Sequence, residues 1–566
     1  MEEKVLLFDK NIERFRTLAD ERAEKEDFLG ALKFLLSARN IDPENLGIIS
    51  DIADLYADTG LLELSNKFWF LYLNKAPKEK RALAYEELAI NYFYLENFWA
   101  SSYYFHQKLS VDGFISKEGL SQEIIDFFSG EELKKGSYKI VYPFDRADFS
   151  YELKKAKHYI TIGAFSESEK VLKSIPKECL DEEALGDLAV SLFMEDDLIG
   201  AEEVCRESLT RYGENVTAFC NLSTIYDMRE DFDNSDYYYQ KALNCKKGDK
   251  GESYKIATCA IEREDHRTAC DCLKNILEDR PYELSMRFFY GLAFANLGNF
   301  ERAEEELKTA YTLDPEDLTV KYYLEYVMDI NNGKGDYLNL APFKYVKELP
   351  EKVFEERKKR IKELLKTPEK FSSIVKKKDW QEILQLGLYS SDSEFMRDCV
   401  YILSTAFTAF SKKVLLSALL NPDGREELKR ILVYVMIVNG VKEKFGVVAG
   451  SLFMKVKPKK LVCEKDAVYG GLYLSSYALC MSKVIFFDVD GIDKIGKTCD
   501  YIYKKFRGKV TDAEATNEEI GSLILSECKF KKLSDDKSVM QIFSVSKNKL
   551  NALKNMLKGD FDDKSN

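Results

Sequence analysis

The sequence predicts an all-α protein: a superhelix of repeated helix hairpins, then a helical C-terminal domain with at most one small β-hairpin. Three observations carry this expectation. Small residues recur at a fixed spacing over the first 317 positions. Only 11 prolines occur in 566 residues, which favours long helices over strand-and-turn architecture. Amphipathic runs of helical period dominate, and alternating runs are rare. The length exceeds what one core can bury, so two to four structural units are expected.

The repeat is clearest at Gly298-Asn299-Phe300-Glu301-Arg302-Ala303, followed by Leu307, Ala310 and Leu313-Asp314-Pro315. Thirty-four residues earlier stand Ala269, Ile276 and Pro281. Another step back reaches Ser235 and Ala242, and another Ala201 and Ser208. Near the N-terminus, Ala31, Ala38 and Pro43 match Ser65, Tyr72 and Pro77. The first helix of each unit has its own pairs: Ala53 with Tyr56, Ala89 with Tyr92, Ala189 with Leu192, Ser223 with Tyr226 and Gly291 with Phe294. Two helices in a hairpin approach closely only where side chains are small, and a large neighbour fills the gap beside them.

This pattern resembles the tetratricopeptide repeat. About eight units start near Ile12, Leu46, Ala82, Phe149, Glu182, Val216, Lys250 and Leu284. The expected divisions are a first array over 1–115, a linker or decayed repeat over 116–148, and a second array over 149–345 closed by a capping helix from Asp317 to Asn331. Beyond it, 346–490 reads as paired amphipathic helices of HEAT type, with a hairpin near 445–457. Residues 491–566 read as a separate helical module.

The resemblance implies a concave groove lined by the first helix of each unit. The groove residues it assigns are Asp20, Glu24, Asp54, Asp58, Glu86, Phe93 and Tyr94 in the early units, and Phe193, Met194, Tyr254 and Phe288 in the later ones. The early lining is acidic with aromatic edges, which suits a basic or amphipathic peptide. The later lining is apolar, fitting either a partner helix or the chain's own C-terminal domain. The Lys/Asn set that clamps a chaperone's C-terminal carboxylate is missing. The expected role is a non-catalytic scaffold that binds a peptide or helix of a cytoplasmic partner.

Composition agrees with that class. Hydrophobic residues make up 45% and charged residues 32%, ordinary for a soluble globular protein. The net charge of −13 argues against a chain that coats nucleic acid or an anionic membrane. The N-terminal MEEKVLLFDKNIERF lacks the form of a signal peptide, and no apolar run has membrane-span length. The 12 cysteines are scattered without a C-x-x-C pair, as expected for reduced thiols in a cytoplasm.

Three local patterns offer other chemistry. Gly491 to Thr498, GIDKIGKT, satisfies the phosphate-loop pattern, with Gly491, Gly496, Lys497 and Thr498 in the binding roles. It looks like the loop of thymidylate kinases, except that Lys494 and Ile495 replace small residues. A phosphate loop also needs further parallel strands, and the remaining 68 residues read as helices, so a plain junction between helices is expected. Asp488 and Asp490 resemble the first motif of haloacid dehalogenase-type phosphatases, as nucleophile and acid/base, but that chemistry needs a downstream Lys and paired acids at strand ends within a larger doubly wound domain. Third, Asp535 to Leu553 resembles a helix-turn-helix, in which Ser546, Lys547, Asn548 and Lys549 would face DNA. A DNA-binding regulator is therefore the second reading and nucleotide binding the third. His266, Cys270 and Cys272 have a metal-like spacing, but Ala269 marks that helix face as packed, so structural cysteines are expected. His106 and His158 have no apparent cysteine partner. No catalytic set, metal or cofactor is expected.

Overall fold

The computed structural model describes residues 12–112, 120–133, 149–161, 163–245, 250–334, 343–345, 347–422, 424–484, 493–530 and 535–559. The chain divides into two compact units, Met1–Trp69 with Lys78–Glu351, and Phe70–Pro77 with Lys352–Asn566.

The first unit is a stack of antiparallel helix hairpins. They are α1 and α2 (Ile12–Ala23, Phe28–Ile41), α3 and α4 (Leu46–Asp58, Leu62–Lys75, of which the part after Trp69 belongs to the second unit), and α5 and α6 (Arg81–Tyr94, Phe98–Asp112). The helix α7 (Gln122–Leu133) follows. Then come α8 and α9 (Ser150–Thr161, Phe165–Ser174), α10 and α11 (Glu182–Met194, Leu198–Tyr212), and α12 and α13 (Val216–Met228, Phe232–Cys245). The last are α14 and α15 (Lys250–Glu262, His266–Asp279), α16 and α17 (Leu284–Asn296, Phe300–Leu313), and the single helix α18 (Leu318–Asn331).

Small residues mark the closest crossings. Ser223 and Ser235 each donate a hydroxyl to the other's carbonyl, at 3.0 and 2.9 Å. Ser101 donates to the Ala89 carbonyl at 2.6 Å in the third hairpin. A Cβ on Gly291 would lie 2.8 Å from Leu307 Cγ, so nothing larger fits there without displacement.

The turn inside each hairpin is equally regular. Glu26, Gly60, Glu96, Asp196, Glu230, Glu264 and Gly298 all adopt left-handed backbone, with φ between +56° and +77°. After six of them stands an Asp or Asn: Asp27, Asn97, Asp197, Asp231, Asp265 and Asn299. Each accepts a hydrogen bond from the backbone N–H three residues on, at 2.9–3.2 Å, and so caps the second helix. Its own N–H closes the first helix; the Asp231, Asp265 and Asn299 amides reach back to the carbonyls of Tyr226, Ala260 and Phe294.

The two ends of this array meet. The Tyr56 hydroxyl donates to the Leu313 carbonyl at 2.8 Å. Glu316 pairs with Arg39 at 3.2 Å and with Lys67 at 2.9 Å. The rings of Phe28 and Tyr282 make an edge-to-face contact at 5.8 Å. The curvature of the stack thus brings the first two hairpins against the last.

The stretch over 116–148 contains a packed helix rather than only a linker. Phe127 and Phe128 of α7 sit 5.3 Å from Phe93 and 4.7 Å from Phe105, ring to ring.

The second unit contains α19 (Glu351–Leu365, entering the unit at Lys352), the short α20 (Phe371–Ile374), α21 (Lys378–Leu388), α22 (Ser393–Thr405), α23 (Ala409–Leu420) and α24 (Glu426–Val438). The antiparallel pair β1 (Phe445–Ala449) and β2 (Leu452–Val456) is the expected hairpin. Then follow α25 (Gly470–Val484), α26 (Lys494–Phe506), α27 (Asn517–Cys528), α28 (Asp536–Phe543) and α29 (Lys547–Lys558). One apolar core runs from Ile361 to Leu557. The boundary expected at 490/491 is therefore corrected: α25 packs against both α26 and α27, so the C-terminal helices share this core. Among the described residues no helix is long and apolar enough to cross a membrane.

Candidate functional site

A short irregular piece of the same chain, Phe343–Tyr345 with Lys347 and Glu348, packs against the last hairpins. The Asn296 side chain, at the end of α16, accepts from the Phe343 N–H at 2.6 Å and donates to the Phe343 carbonyl at 2.8 Å. The Phe343 ring is buried against Tyr323 and Tyr326 of α18, with both centroids at 5.8 Å. Two residues on, the Tyr345 hydroxyl hydrogen-bonds His266 Nδ1 at 2.9 Å, and its ring meets Phe289 edge-on at 6.2 Å. Burial pushes the Tyr345 hydroxyl above its ordinary range. Lys347 pairs with Asp317 Oδ2 at 2.6 Å, while Oδ1 of the same carboxylate caps α18. The Tyr323 hydroxyl donates to the Glu348 carbonyl at 3.1 Å.

Beside this segment lies a cavity of about 470 Å³, bounded on the far side by Tyr254, Thr258, Ile261 and Glu262 of α14. Burial raises the Glu262 carboxyl, against a hydrogen bond from Thr224.

Of the apolar groove residues read from the sequence, Tyr254 lines this cavity and is 51% exposed. Phe288 does not. It is 0% exposed, because α18 covers that face of α16 and seats Tyr323 against its ring. The neighbouring Phe289 takes the cavity wall instead. Phe193 is partly buried against the core of its own hairpins, and Met194 is exposed. Sequence reasoning missed Asn296 and Phe343. Asn296 ends the same helix face as Tyr254's counterpart, but nothing periodic points to an irregular segment after α18.

The early hairpins gather carboxylates. Burial first, then Asp51 and Asp58, pushes Asp54 up to about 6, although the residue is exposed. Burial, then Asp54, Glu86 and Asp58, with Lys108 opposing, pushes Glu87 up to about 7. Burial also raises Asp58. Glu87 was absent from the groove set. Glu86, which was in it, is corrected: Lys108 occupies its carboxylate at 2.6 Å and leaves it little open to a partner. Asp20 and Glu24 are exposed at the end of α1. Phe93 is flanked by Phe98 and Phe127, while Tyr94 stays exposed.

In the second unit, Gly496, Lys497 and Thr498 lie inside α26, with Gly496 buried against Lys459. The Thr498 hydroxyl accepts from the Cys528 thiol at 3.4 Å. Before the loop stands the helix α25. Gly491, Asp488 and Asp490 lie outside the described residues. Two short helices, α28 and α29, are joined by a turn there: Ser544 adopts left-handed backbone, and Ser546 caps α29. Lys547 and Asn548 are exposed, but Lys549 donates to the Glu514 carbonyl at 2.9 Å and faces Glu519 at 3.5 Å. All 12 cysteines are thiols, and Cys270 and Cys272 are buried. Among the described residues no group of three His, Cys, Asp or Glu is placed to hold a metal.

No protein-family model and no curated protein matches the sequence. Among solved structures the chain is similar to a tetratricopeptide repeat protein from Parabacteroides merdae, at 13% identity over 56% of this chain and 98% of that one, with a TM-score of 0.27. It is similar to the P58(IPK) TPR domain at 12% identity, over 57% and 99% of the two chains, TM-score 0.24. It is also similar to YrrB, described as a TPR protein with an unusual peptide-binding site, at 15% identity over 31% and 92%, TM-score 0.23. The chain's own hairpins, with small crossing residues 34 apart and capped left-handed turns between their helices, give its first unit the fold of a tandem helix-hairpin array, similar to that of tetratricopeptide repeat proteins.

Proposed function

We propose that the first unit is a non-catalytic capture surface, which holds an extended peptide of a protein partner along the inner face of α14, α16 and α18. One observation carries the reading: the Asn296 amide satisfies both backbone hydrogen-bonding groups of Phe343. Such a clamp grips any main chain, and flanking pockets then select side chains. Glu262, Glu264 and Asp317 border the site, and Asp54 and Asp58 add negative charge on the early hairpins. That charge favours a basic or amphipathic partner and speeds its approach. The partner is taken to be cytoplasmic, on the strength of the free thiols.

The test is to pan a random 12-residue peptide library on the full chain and counter-select on the Asn296→Ala chain. Peptides that bind the first and not the second support the groove. Enrichment indifferent to Asn296, or none at all, sinks the proposal.

A further inference from the structure

We infer that Phe343–Tyr345, with Lys347, is a tethered competitor for the capture site, and that the partner presents the same chemistry: an aromatic–x–aromatic–x–Lys segment. This rests on the peptide-capture reading above.

The segment already behaves as a ligand would. At Phe343 the backbone N–H and carbonyl both bond to one side chain, Asn296. Its two aromatic residues enter separate aromatic settings, Phe343 between Tyr323 and Tyr326, and Tyr345 against Phe289 and His266. Its lysine meets the one carboxylate that also caps α18. Phe343, Tyr345 and Lys347 are alternate residues in the sequence, and each has its own partner on the array.

Two features make the occupancy reversible. The cavity of about 470 Å³ between Tyr345 and α14 is left unfilled, so a ligand with more bulk beside its second aromatic makes contacts that the tethered segment lacks. The lysine of the Lys347–Asp317 pair is 40% exposed, although the aspartate is only 9% exposed, so water reaches one end of the contact and weakens its hold. A short tether supplies the segment at about millimolar effective concentration. For an intrinsic Kd on the order of 0.1 mM, that self-occupancy weakens an external peptide about tenfold.

The experiment uses the full chain and a fluorescein-labelled synthetic peptide spanning Pro342–Leu349, read by fluorescence anisotropy. The Phe343→Ser/Tyr345→Ser chain should bind it about tenfold more tightly than wild type. The Lys347→Gln chain, altered only at the half-exposed end of that pair, should bind a few-fold more tightly and guards against a folding defect in the first variant. Adding Asn296→Ala to either should abolish binding. Equal binding by wild type and both emptied chains overturns the inference, as does binding indifferent to Asn296→Ala. If panned peptides need Asn296 but lack the paired aromatics, the capture reading stands and this inference falls. If no peptide needs Asn296, both fall.

Discussion

The Asn296 amide and the Phe343 backbone exchange two hydrogen bonds, 2.6 and 2.8 Å long, across 47 residues of sequence. Removing the amide leaves both backbone groups to find water. At about 1 kcal/mol each, the loss is about 2 kcal/mol for the local docking. We expect Asn296→Ala to speed amide exchange at Phe343 and Tyr345 about 30-fold, with α14 and α16 unchanged. Unaltered protection there would show that the rings alone hold the segment.

The closure of the array depends on Glu316. Its burial raises the carboxyl, but Lys67 and Arg39 outweigh that and hold it down to about 2. A depressed acid stabilises the fold above its ordinary pKa of about 4.5, and that contribution is lost as pH falls toward 2. The side chain is 39% exposed, so we discount the effect to about 1 kcal/mol. The double variant Arg39→Glu/Lys67→Glu should open the closure and raise the radius of gyration in small-angle scattering. Adding Glu316→Lys should restore it. Failure of that restoration would assign the closure to Tyr56 and Phe28 instead.

Glu87 has the opposite sign. Its folded-state pKa, about 7, lies above the ordinary carboxyl value. The folded form therefore holds its proton longer, and stability falls as pH rises from about 4.5 to about 7. Replacing Glu87 with Gln should stabilise the first unit by about 1–2 kcal/mol at pH 8 and by nothing at pH 4, after allowance for its coupling to Asp54. Urea unfolding followed through Trp69 and Trp99 in a Trp380→Phe background reads this directly. Equal gains at both pH values would rule out the titration.

The left-handed turns offer a further check. Glu230 has φ +59°, where a Cβ costs about 1–2 kcal/mol. Glycine relieves that, less about 0.5–1 kcal/mol of added unfolded-chain entropy. Glu230→Gly should stabilise by about 0.5 kcal/mol, and Gly298→Ala, at φ +76°, should destabilise by about 1 kcal/mol. Thermal melts of the two variants moving in the same direction would contradict the argument.

How far the sequence was legible follows from what leaves a period. Ser223, Ser235, Gly291 and Ala303 showed because close crossings demand small residues at fixed spacing. The β-hairpin showed because Phe445 to Val456 alternates around a turn. Phe288 misled because the groove register holds only where no further helix covers it, and α18 does. Glu86 misled because its partner, Lys108, lies one helix away at an unremarkable position. The core shared by α25 to α29 was missed because helix contacts across separate sequence stretches have no local signature. Asn296 with Phe343 and Tyr56 with Leu313 are single long-range contacts, which no composition or spacing encodes.

The meeting of Tyr56 with Leu313, and of Arg39 and Lys67 with Glu316, also bears on how such a chain diversifies. A stack with free ends lengthens or shortens by one hairpin without disturbing the others, since each touches only its neighbours. Here the last hairpin is a neighbour of the first two. Losing Val216–Cys245, or duplicating it, would pull Leu313 away from Tyr56 and set Glu316 apart from its two cations. The number of hairpins is therefore a closed count, inherited as a whole. Innovation in this array is confined to substitutions on its inner face and to the segments that thread it.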